Sequence, residues 1–238
     1  MAQSFFIWNG TDCRSKGITM RGPAPIIRPE ERVKHVEIPG RSGDVTETEG
    51  ENIYNSYIQT VSISARGGYN VREVYKWLRG SGFVTFSGEP DRKQAARIIG
   101  AITLNRISRN LDKWQGEVQF YCQPLKEKLE EKGMEITDAS VTIKNYGDVE
   151  CFPLIKLKTN STGAAVNVTG RSVLIISGLV SGQVIWVDSE TMEIWNEDKT
   201  ALLTKDSTGS FPVLEPGENE INTAGVAEMT MWKRERFL

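Results

Sequence analysis

The stretch Val184–Trp195, VIWVDSETMEIW, predicts the architecture of the second half of the chain. Two apolar segments flank the polar turn DSET, which is the pattern of two strands joined as a hairpin. Similar short apolar segments, separated by Gly, Asn, Asp and Pro turns, run from Ala139 to the end of the sequence. About 100 residues with turns at this spacing predict a β-sandwich or jelly roll.

The first half reads mainly as strands, and Tyr57–Arg66 is the clearest of them. Apolar and polar side chains alternate there, as in a strand with one face buried. The alternation separates two sets, Gln59, Val61, Ile63 and Ala65 against Thr60, Ser62 and Ser64.

One helix interrupts these strands. Its apolar residues recur at helical spacing and form a single stripe that packs on a core. Asn70 is a suitable N-cap and Gly80 a suitable stop. The stripe consists of Val71, Val74, Tyr75 and Leu78. Strands on both sides of one helix predict a mainly β first domain, a β-sandwich with one helix.

A dense mixed-charge run from Lys126 to Lys132 separates the two halves. Pro124 is expected to end the preceding strand, because proline cannot donate to a strand ladder. The predicted organisation is therefore a first domain over residues 1–124, a linker over 125–138 and a second domain over 139–238. A chain of 238 residues accommodates two domains of roughly 100–150 residues each.

Composition favours a soluble globular protein. The hydrophobic share is 39%, the charged share is 25% and the net charge is −2, so there is no basic excess of the kind that binds nucleic acid. No apolar run approaches the ~20 residues of a membrane helix, and the N-terminus lacks the features of a secretion signal. Cys13, Cys122 and Cys151 lack metal or redox spacing, and free thiols are expected.

Motifs of catalysis and cofactor binding are missing from the sequence. It contains no GxGxxG, P-loop or GxSxG motif, and His35 is its one histidine. The acids between Asp188 and Asp198 lack the spacing and central glycine of an EF-hand. We therefore predict no catalytic residue, no metal and no cofactor, although a glycosidase needs only two carboxylates and stays open as a hypothesis.

Trp186 and Trp195 lie on the predicted hairpin and allow two interpretations. They are candidate glycan contacts, since carbohydrate-binding modules stack sugars on such rings. Tryptophans of small sandwiches are more often core residues, and the core interpretation is favoured.

The stretch VEIPGRSGDV, residues 36–45, predicts a tight chain reversal. Its glycines permit the turn, and Arg41 lies at the tip, where it could bind a phosphate, a carboxylate or a neighbouring subunit. The polar segment TETEGENIYN that follows predicts an exposed hairpin arm.

Taken in order, these segments resemble the distal tail (Dit) proteins of long, non-contractile-tailed bacteriophages and their prophages. The resemblance covers nearly the whole chain. In the first half it is carried by WNG, PGRSGD, YNSYIQTVSI, VREVYKWL and VQFYCQP, and in the second by NYGDVECFPLIKL, VNVTG, VIWVDSETMEIW and FPVLEPGENEI. Two family patterns fall on Asn145–Pro153 and on Leu214–Asn219, and Tyr146 departs from the first by interrupting the usual Asn-Gly pair.

The resemblance implies a structural hub of the virion and no enzyme. Members of the family form a homohexameric ring at the distal end of the tail. Their first domains resemble tail-tube subunits and enclose a channel for genomic DNA, while their galectin-like second domains project outward. The implied partners are the major tail tube protein, the tape-measure protein, the tail-tip protein and receptor-binding proteins. No membrane is implied, and assembly is expected in the cytoplasm of the host bacterium.

Within that frame the tip is best interpreted as a contact to another subunit or partner, against the plain alternative of a solvated loop. The candidate interface residues are Gly40, Arg41, Ser42, Gly43, Asp44, Tyr54 and Tyr57. The low content of basic residues suits a channel that DNA passes through without being bound tightly. The alternative functions are a carbohydrate-binding adhesin that recognises host glycan through Trp186 and Trp195, and a small cell-wall hydrolase.

Overall fold

A computed structural model describes residues 4–48, 50–66, 71–108, 110 and 112–238. The chain forms two compact units. The first extends to Leu129 and includes Leu238, and the second is Glu130–Phe237. Both units are built almost entirely of antiparallel strands, which confirms the mainly β fold class.

The first unit contains ten strands and one described α-helix, α1 (Val71–Trp77). The strands are β1 (Phe6–Trp8), β2 (Thr11–Asp12), β3 (Ile18–Met20), β4 (Val33–Glu37), β5 (Asp44–Thr48), β6 (Tyr57–Arg66), β7 (Ser81–Phe86), β8 (Arg92–Ile99), β9 (Leu104–Ser108) and β10 (Lys113–Lys128). Seven of them form one sheet in the order β2-β1-β7-β8-β10-β6-β3, with β9 also paired to β10. Strands β4 and β5 form a separate hairpin.

The core of the first unit lies on one face of this sheet. Val61, Ile63 and Ala65 of β6 are buried, as their alternation predicted. Phe6, Trp8 and Phe120 form an aromatic cluster behind them, and they are the largest fully buried side chains of this unit.

Helix α1 packs its apolar stripe on this core, with one exception. Val74 and Leu78 are buried, but Tyr75 is 40% exposed. Gly80 has a left-handed φ of +77°, as a stop signal requires. The predicted N-cap Asn70 lies outside the described residues. Within the described chain no helix is long and apolar enough to cross a membrane.

Strand β10 does not end at Pro124, and that expectation was wrong. The strand continues to Lys128, with its register against β8 shifted between Cys122 and Lys126. A proline is tolerated inside a strand at such an irregularity, where the ladder hydrogen bond is already missing. Residues 125–138, predicted as a linker, thus contain the end of β10 and a short strand of the second unit, Met134–Ile136.

The second unit contains the remaining eleven strands. They are β11 (Met134–Ile136), β12 (Ser140–Asn145), β13 (Leu154–Thr159), β14 (Ala164–Val168), β15 (Ser172–Ile176), β16 (Val184–Asp188), β17 (Glu193–Asn196), β18 (Ser207–Gly209), β19 (Gly217–Ala224), β20 (Val226–Trp232) and β21 (Arg236–Phe237). Two five-stranded sheets form, in the orders β11-β20-β13-β16-β17 and β12-β19-β14-β15-β18. One buried cluster draws side chains from both sheets, so the unit is a β-sandwich, as predicted.

Two buried asparagines hold the turns at which the family patterns fall. The side-chain amide of Asn145 donates to the carbonyls of Val149 (3.2 Å) and Leu214 (3.1 Å), and its oxygen accepts from the Gly147 amide (2.8 Å). Asn219 exchanges two hydrogen bonds with the backbone of Glu215, at 2.8 and 2.9 Å. These side chains replace missing ladder partners, because buried backbone groups must be satisfied.

Candidate interaction surfaces

The GRSG segment forms the tip of the β4–β5 hairpin. Glu37 pairs with Asp44 at its base, and the intervening loop turns at Gly40 and Gly43, with φ of +81° and +79°. The Arg41 amide donates to the Ile38 carbonyl at 3.1 Å, and the side chains from Gly40 to Asp44 are exposed. The predicted reversal is present, and the proposed contact role of this tip stays a prediction.

The hairpin arm, residues 33–48, lacks a core of its own. None of its side chains is buried, and its two strands pair only with each other in the described sheets. At its centre Nδ1 of His35 lies 3.4 Å from the Thr46 hydroxyl and 3.4 Å from the Asp44 carboxylate. An isolated two-stranded hairpin is marginally stable in water, so this arm would gain stability from a covering surface.

Tyr54 and Tyr57 are set apart from the tip. Tyr54 is 9% exposed and sits beside Glu31 in an isolated bridge. The Tyr57 hydroxyl donates to the side-chain oxygen of Gln94 at 3.1 Å, and burial raises the pKa of Tyr57 to about 12. Both tyrosines make most of their contacts within the first unit. Their assignment as interface residues stays a prediction.

A cationic cleft lies on the face of the first-unit sheet opposite the core. It opens between the edge strand β3 and strands β6 and β10, with a volume of about 420 Å³. Its lining includes Arg21, Arg66 and Lys113, together with Thr19, Ser64 and Gln115. Sequence analysis missed this cleft, because its charges come from three segments that only the strand register brings together. Arg66 and Lys113 are direct cross-strand partners, and Gln115 pairs with Ser64, which pairs with Thr19.

Trp186 and Trp195 lie outside the core of the sandwich, so the core interpretation was wrong. They are cross-strand partners on β16 and β17, whereas their neighbours Ile185, Val187 and Ile194 point into the buried cluster. Both rings are half-buried on the outer face of their sheet. A strand places successive side chains on opposite faces, so the buried neighbours force the tryptophans outward.

The ring of Trp186 is already occupied by its own chain. It stacks on Trp232 with centroids 5.6 Å apart, and Nζ of Lys199 lies over it at 4.3 Å. Its indole nitrogen donates to the Glu197 carbonyl at 3.1 Å. Trp195, whose indole nitrogen donates to Glu193 at 3.3 Å, is therefore the better placed of the two for an external ligand.

An ionic clasp connects the β16–β17 turn with the segment before β21. The guanidinium of Arg234 donates to both carboxylate oxygens of Asp188 at 2.7 and 3.0 Å, and Arg236 donates to Glu190 at 2.6 Å. Burial alone would raise the pKa of Asp188, but the hydrogen bonds and charge of Arg234 outweigh it and lower the pKa below its ordinary value of 3.8. The Arg234 amide also donates to Glu131 at 2.9 Å.

The potential nucleophiles and metal ligands are dispersed. All three cysteines are buried, and burial raises the pKa of Cys13 and brings that of Cys122 and Cys151 to about 12. Thiols in this state are poor nucleophiles. No group of three metal-ligating side chains occurs in the part of the chain that the structure describes.

Fold and surfaces together define a class, a mainly β protein of two units with an exposed hairpin arm on the first and a sandwich as the second. Residues 146–237 match the family described as "Siphovirus-type tail component, C-terminal domain". The crystal structure of the Dit protein (gp 19.1) of phage SPP1, described as a paradigm of the hub adsorption apparatus in phages that infect Gram-positive bacteria, has a similar fold. Its TM-score is 0.78 at 17% identity, with 100% of each chain covered. Comparison with curated proteins gave no match.

The resemblance to distal tail proteins is thereby confirmed. Residues 146–237 match the model of the siphovirus-type tail component, and the whole chain is similar in fold to the SPP1 protein.

Proposed function

We propose that this protein is the hub at the distal end of the tail, where a homohexameric ring joins the tail tube to the tip apparatus. The observation behind the proposal is the likeness in fold, over the full length of both chains, to an SPP1 protein described as part of a hub adsorption apparatus. The tail-component match of the second unit supports the same role.

The first unit is proposed to form the ring. Its hairpin arm has no core of its own and presents Arg41 at an exposed tip, so a neighbouring copy would supply the missing cover. The planar guanidinium can bind a carboxylate through two hydrogen bonds, which suits a fixed subunit geometry. In a closed ring every copy makes the same contacts with its two neighbours, so every arm is covered.

The ring would contact the major tail tube protein, the tape-measure protein, the tail-tip protein and receptor-binding proteins, and would let genomic DNA pass. A net charge of −2 provides no general attraction for phosphates, as expected of a conduit. Tight, salt-sensitive binding of duplex DNA by the purified chain would argue against that role.

The test is the ring itself. Wild-type protein is examined by native mass spectrometry and negative-stain microscopy, alone and with the tail-tip protein, and six-membered rings are expected. Arg41→Ala should lower the association constant roughly two- to fivefold, the range of an exposed charge contact, without changing unfolding. Arg28→Ala is a matched control, since Arg28 is an exposed arginine of the same unit that pairs only weakly with Glu31 at 3.5 Å.

Absence of the protein from the distal end of purified tails would contradict the hub. The role is also proposed to be non-enzymatic, so turnover of peptidoglycan or glycan that is traced to this chain would refute that part.

A second function, glycan recognition by the sandwich, is favoured by the outward placement of the tryptophans. Trp195→Ala should abolish binding on a glycan array if the outer face holds sugar, because ring stacking supplies much of such affinity. Ile175→Ala is the control, because Ile175 is 49% exposed on the outer face of the other sheet. Equal binding by both variants and the wild type would exclude Trp195 as the contact.

A further inference from the structure

We infer that the cationic cleft receives the acidic strand of the hairpin arm from a neighbouring copy of the chain. The inference rests on the proposed ring, because it names the surface that covers the arm. It requires a cleft with unsatisfied positive charge and an exposed segment of opposite charge that is free to reach another copy.

The cleft supplies three cations, one from each of the neighbouring strands β10 and β6 and one that follows the edge strand β3. Arg66 and Lys113 face each other across β6 and β10, and Arg21 follows β3, where its amide donates to the Ser62 carbonyl at 3.0 Å. No ion pair within 4.0 Å joins any of the three to a carboxylate of the described residues. Two arginines and a lysine thus face solvent around a polar floor of hydroxyl and amide groups.

The arm supplies the complementary charge. Strand β5 of the arm carries two acids, Asp44 and Glu47, and no basic residue, and Glu49 and Glu51 follow it in the sequence. Asp44 and Glu47 are exposed on β5, and Glu51 is exposed just beyond it. Glu49 lies outside the described residues. Opposite potentials on two facing surfaces set register and orientation when they dock.

Duplex DNA is the rival occupant of a cationic cleft. DNA binding depends on many phosphate contacts and on a basic field around the site. This cleft holds only three cations among its lining residues, in a chain of net charge −2. Strand β5, which carries Asp44 and Glu47 and no basic residue, is the better match for a cleft with three cations.

Disulfide trapping tests the docking directly. Chains that carry Glu47→Cys are mixed with chains that carry Lys113→Cys, so that only contact between copies can form the bond. The native cysteines are buried and do not compete. A cross-linked dimer is expected under mild oxidation. Lys76→Cys is the control, since Lys76 is an exposed lysine on α1 of the same unit.

Charge reversal supplies an independent measure. Lys113→Glu should weaken association roughly threefold per interface, the scale of one exposed ion pair. Adding Glu47→Lys to the same chain should restore association, because every copy then offers both reversed charges. Either substitution alone should leave the unfolding midpoint unchanged, which separates docking from folding.

Ring formation without the Glu47–Lys113 cross-link, or equal cross-linking to position 76, overturns the docking while the hub proposal stands. Failure to restore association in the double variant also overturns the docking. Protein that forms neither rings nor cross-links and is absent from tails contradicts both proposals. A loss of duplex DNA affinity in Lys113→Glu, with association unaffected, would assign the cleft to nucleic acid instead.

Discussion

At the scale of single residues, Asn145 is the clearest case of a side chain that forms hydrogen bonds with backbone groups in place of a neighbouring strand. It is 1% exposed, and its three hydrogen bonds serve the carbonyls of Val149 and Leu214 and the Gly147 amide. The bond to Gly147 lets the chain accommodate Tyr146, which is 63% exposed and so lies outside the buried turn. The interrupted Asn-Gly pair of this sequence thus keeps its hydrogen bonding despite the inserted ring.

Asn145→Ala should destabilise the second unit by about 2–4 kcal/mol, because it strands several buried polar groups. The measurement is urea unfolding followed by circular dichroism. Asn222→Ala is the control, because the Asn222 side chain makes one hydrogen bond at 3.1 Å, to the Thr169 hydroxyl. A loss in Asn145→Ala no larger than in this control would show that the turn does not depend on the amide.

At the scale of elements, the ionic clasp ties the β16–β17 turn to the segment before β21. The pKa of Asp188 lies below 3.8 in the folded chain, so the carboxylate is favoured by folding. Its stabilisation is therefore fully present above pH 3.8 and is lost as the pH falls through the lower folded value.

Asp188→Asn should therefore lower stability at pH 7, and its difference from the wild type should shrink as the pH falls below about 4. Thermal unfolding between pH 3 and 7 measures this trend. The exposed Asp198→Asn variant should show no such convergence. A constant difference at every pH would indicate that packing, and not the charge of Asp188, is responsible.

The elements also show how far the sequence could be interpreted. The alternation in β6 and the hairpin around DSET were predicted correctly, because burial of one face imposes the period of a strand. The prediction that Pro124 ends a strand was wrong, because the sequence of one strand does not show where its register against a neighbouring strand shifts. The prediction that Trp186 and Trp195 are core residues was wrong, because hydrophobicity alone does not show which face of a strand is buried. The cationic cleft escaped notice because Arg66 and Lys113 become neighbours only through cross-strand pairing.

At the scale of the whole molecule, the two units mark where the chain can be divided. Strand β10 continues to Lys128, and Lys126 is 5% exposed with its ammonium 2.7 Å from Glu89. Removing one member of a buried ion pair leaves an uncompensated charge, which is strongly destabilising. A cut after Gln123 would remove Lys126 and leave Glu89 paired with Arg92 alone, at 3.1 Å, whereas a cut after Leu129 retains both partners and the residues of β10 that pair with β8.

The fragment 1–129 should therefore be more stable than the fragment 1–123, because it keeps the Lys126–Glu89 pair and the ladder between the end of β10 and β8. If the first unit forms the ring, the longer fragment should also retain assembly. Denaturant unfolding and native mass spectrometry of both fragments provide the comparison. Equal stability of the two would mean that the end of β10 contributes little.

The stacked pair of Trp186 and Trp232 has a spectroscopic consequence. Three of the six tryptophans, Trp8, Trp77 and Trp114, lie in the first unit, and the other three share the outer face of one sheet in the second. Indoles held 5.6 Å apart couple their excited states and give a split band in circular dichroism. That band would follow the integrity of the sandwich without an added label, while emission from the fully enclosed Trp8 would report on the other half.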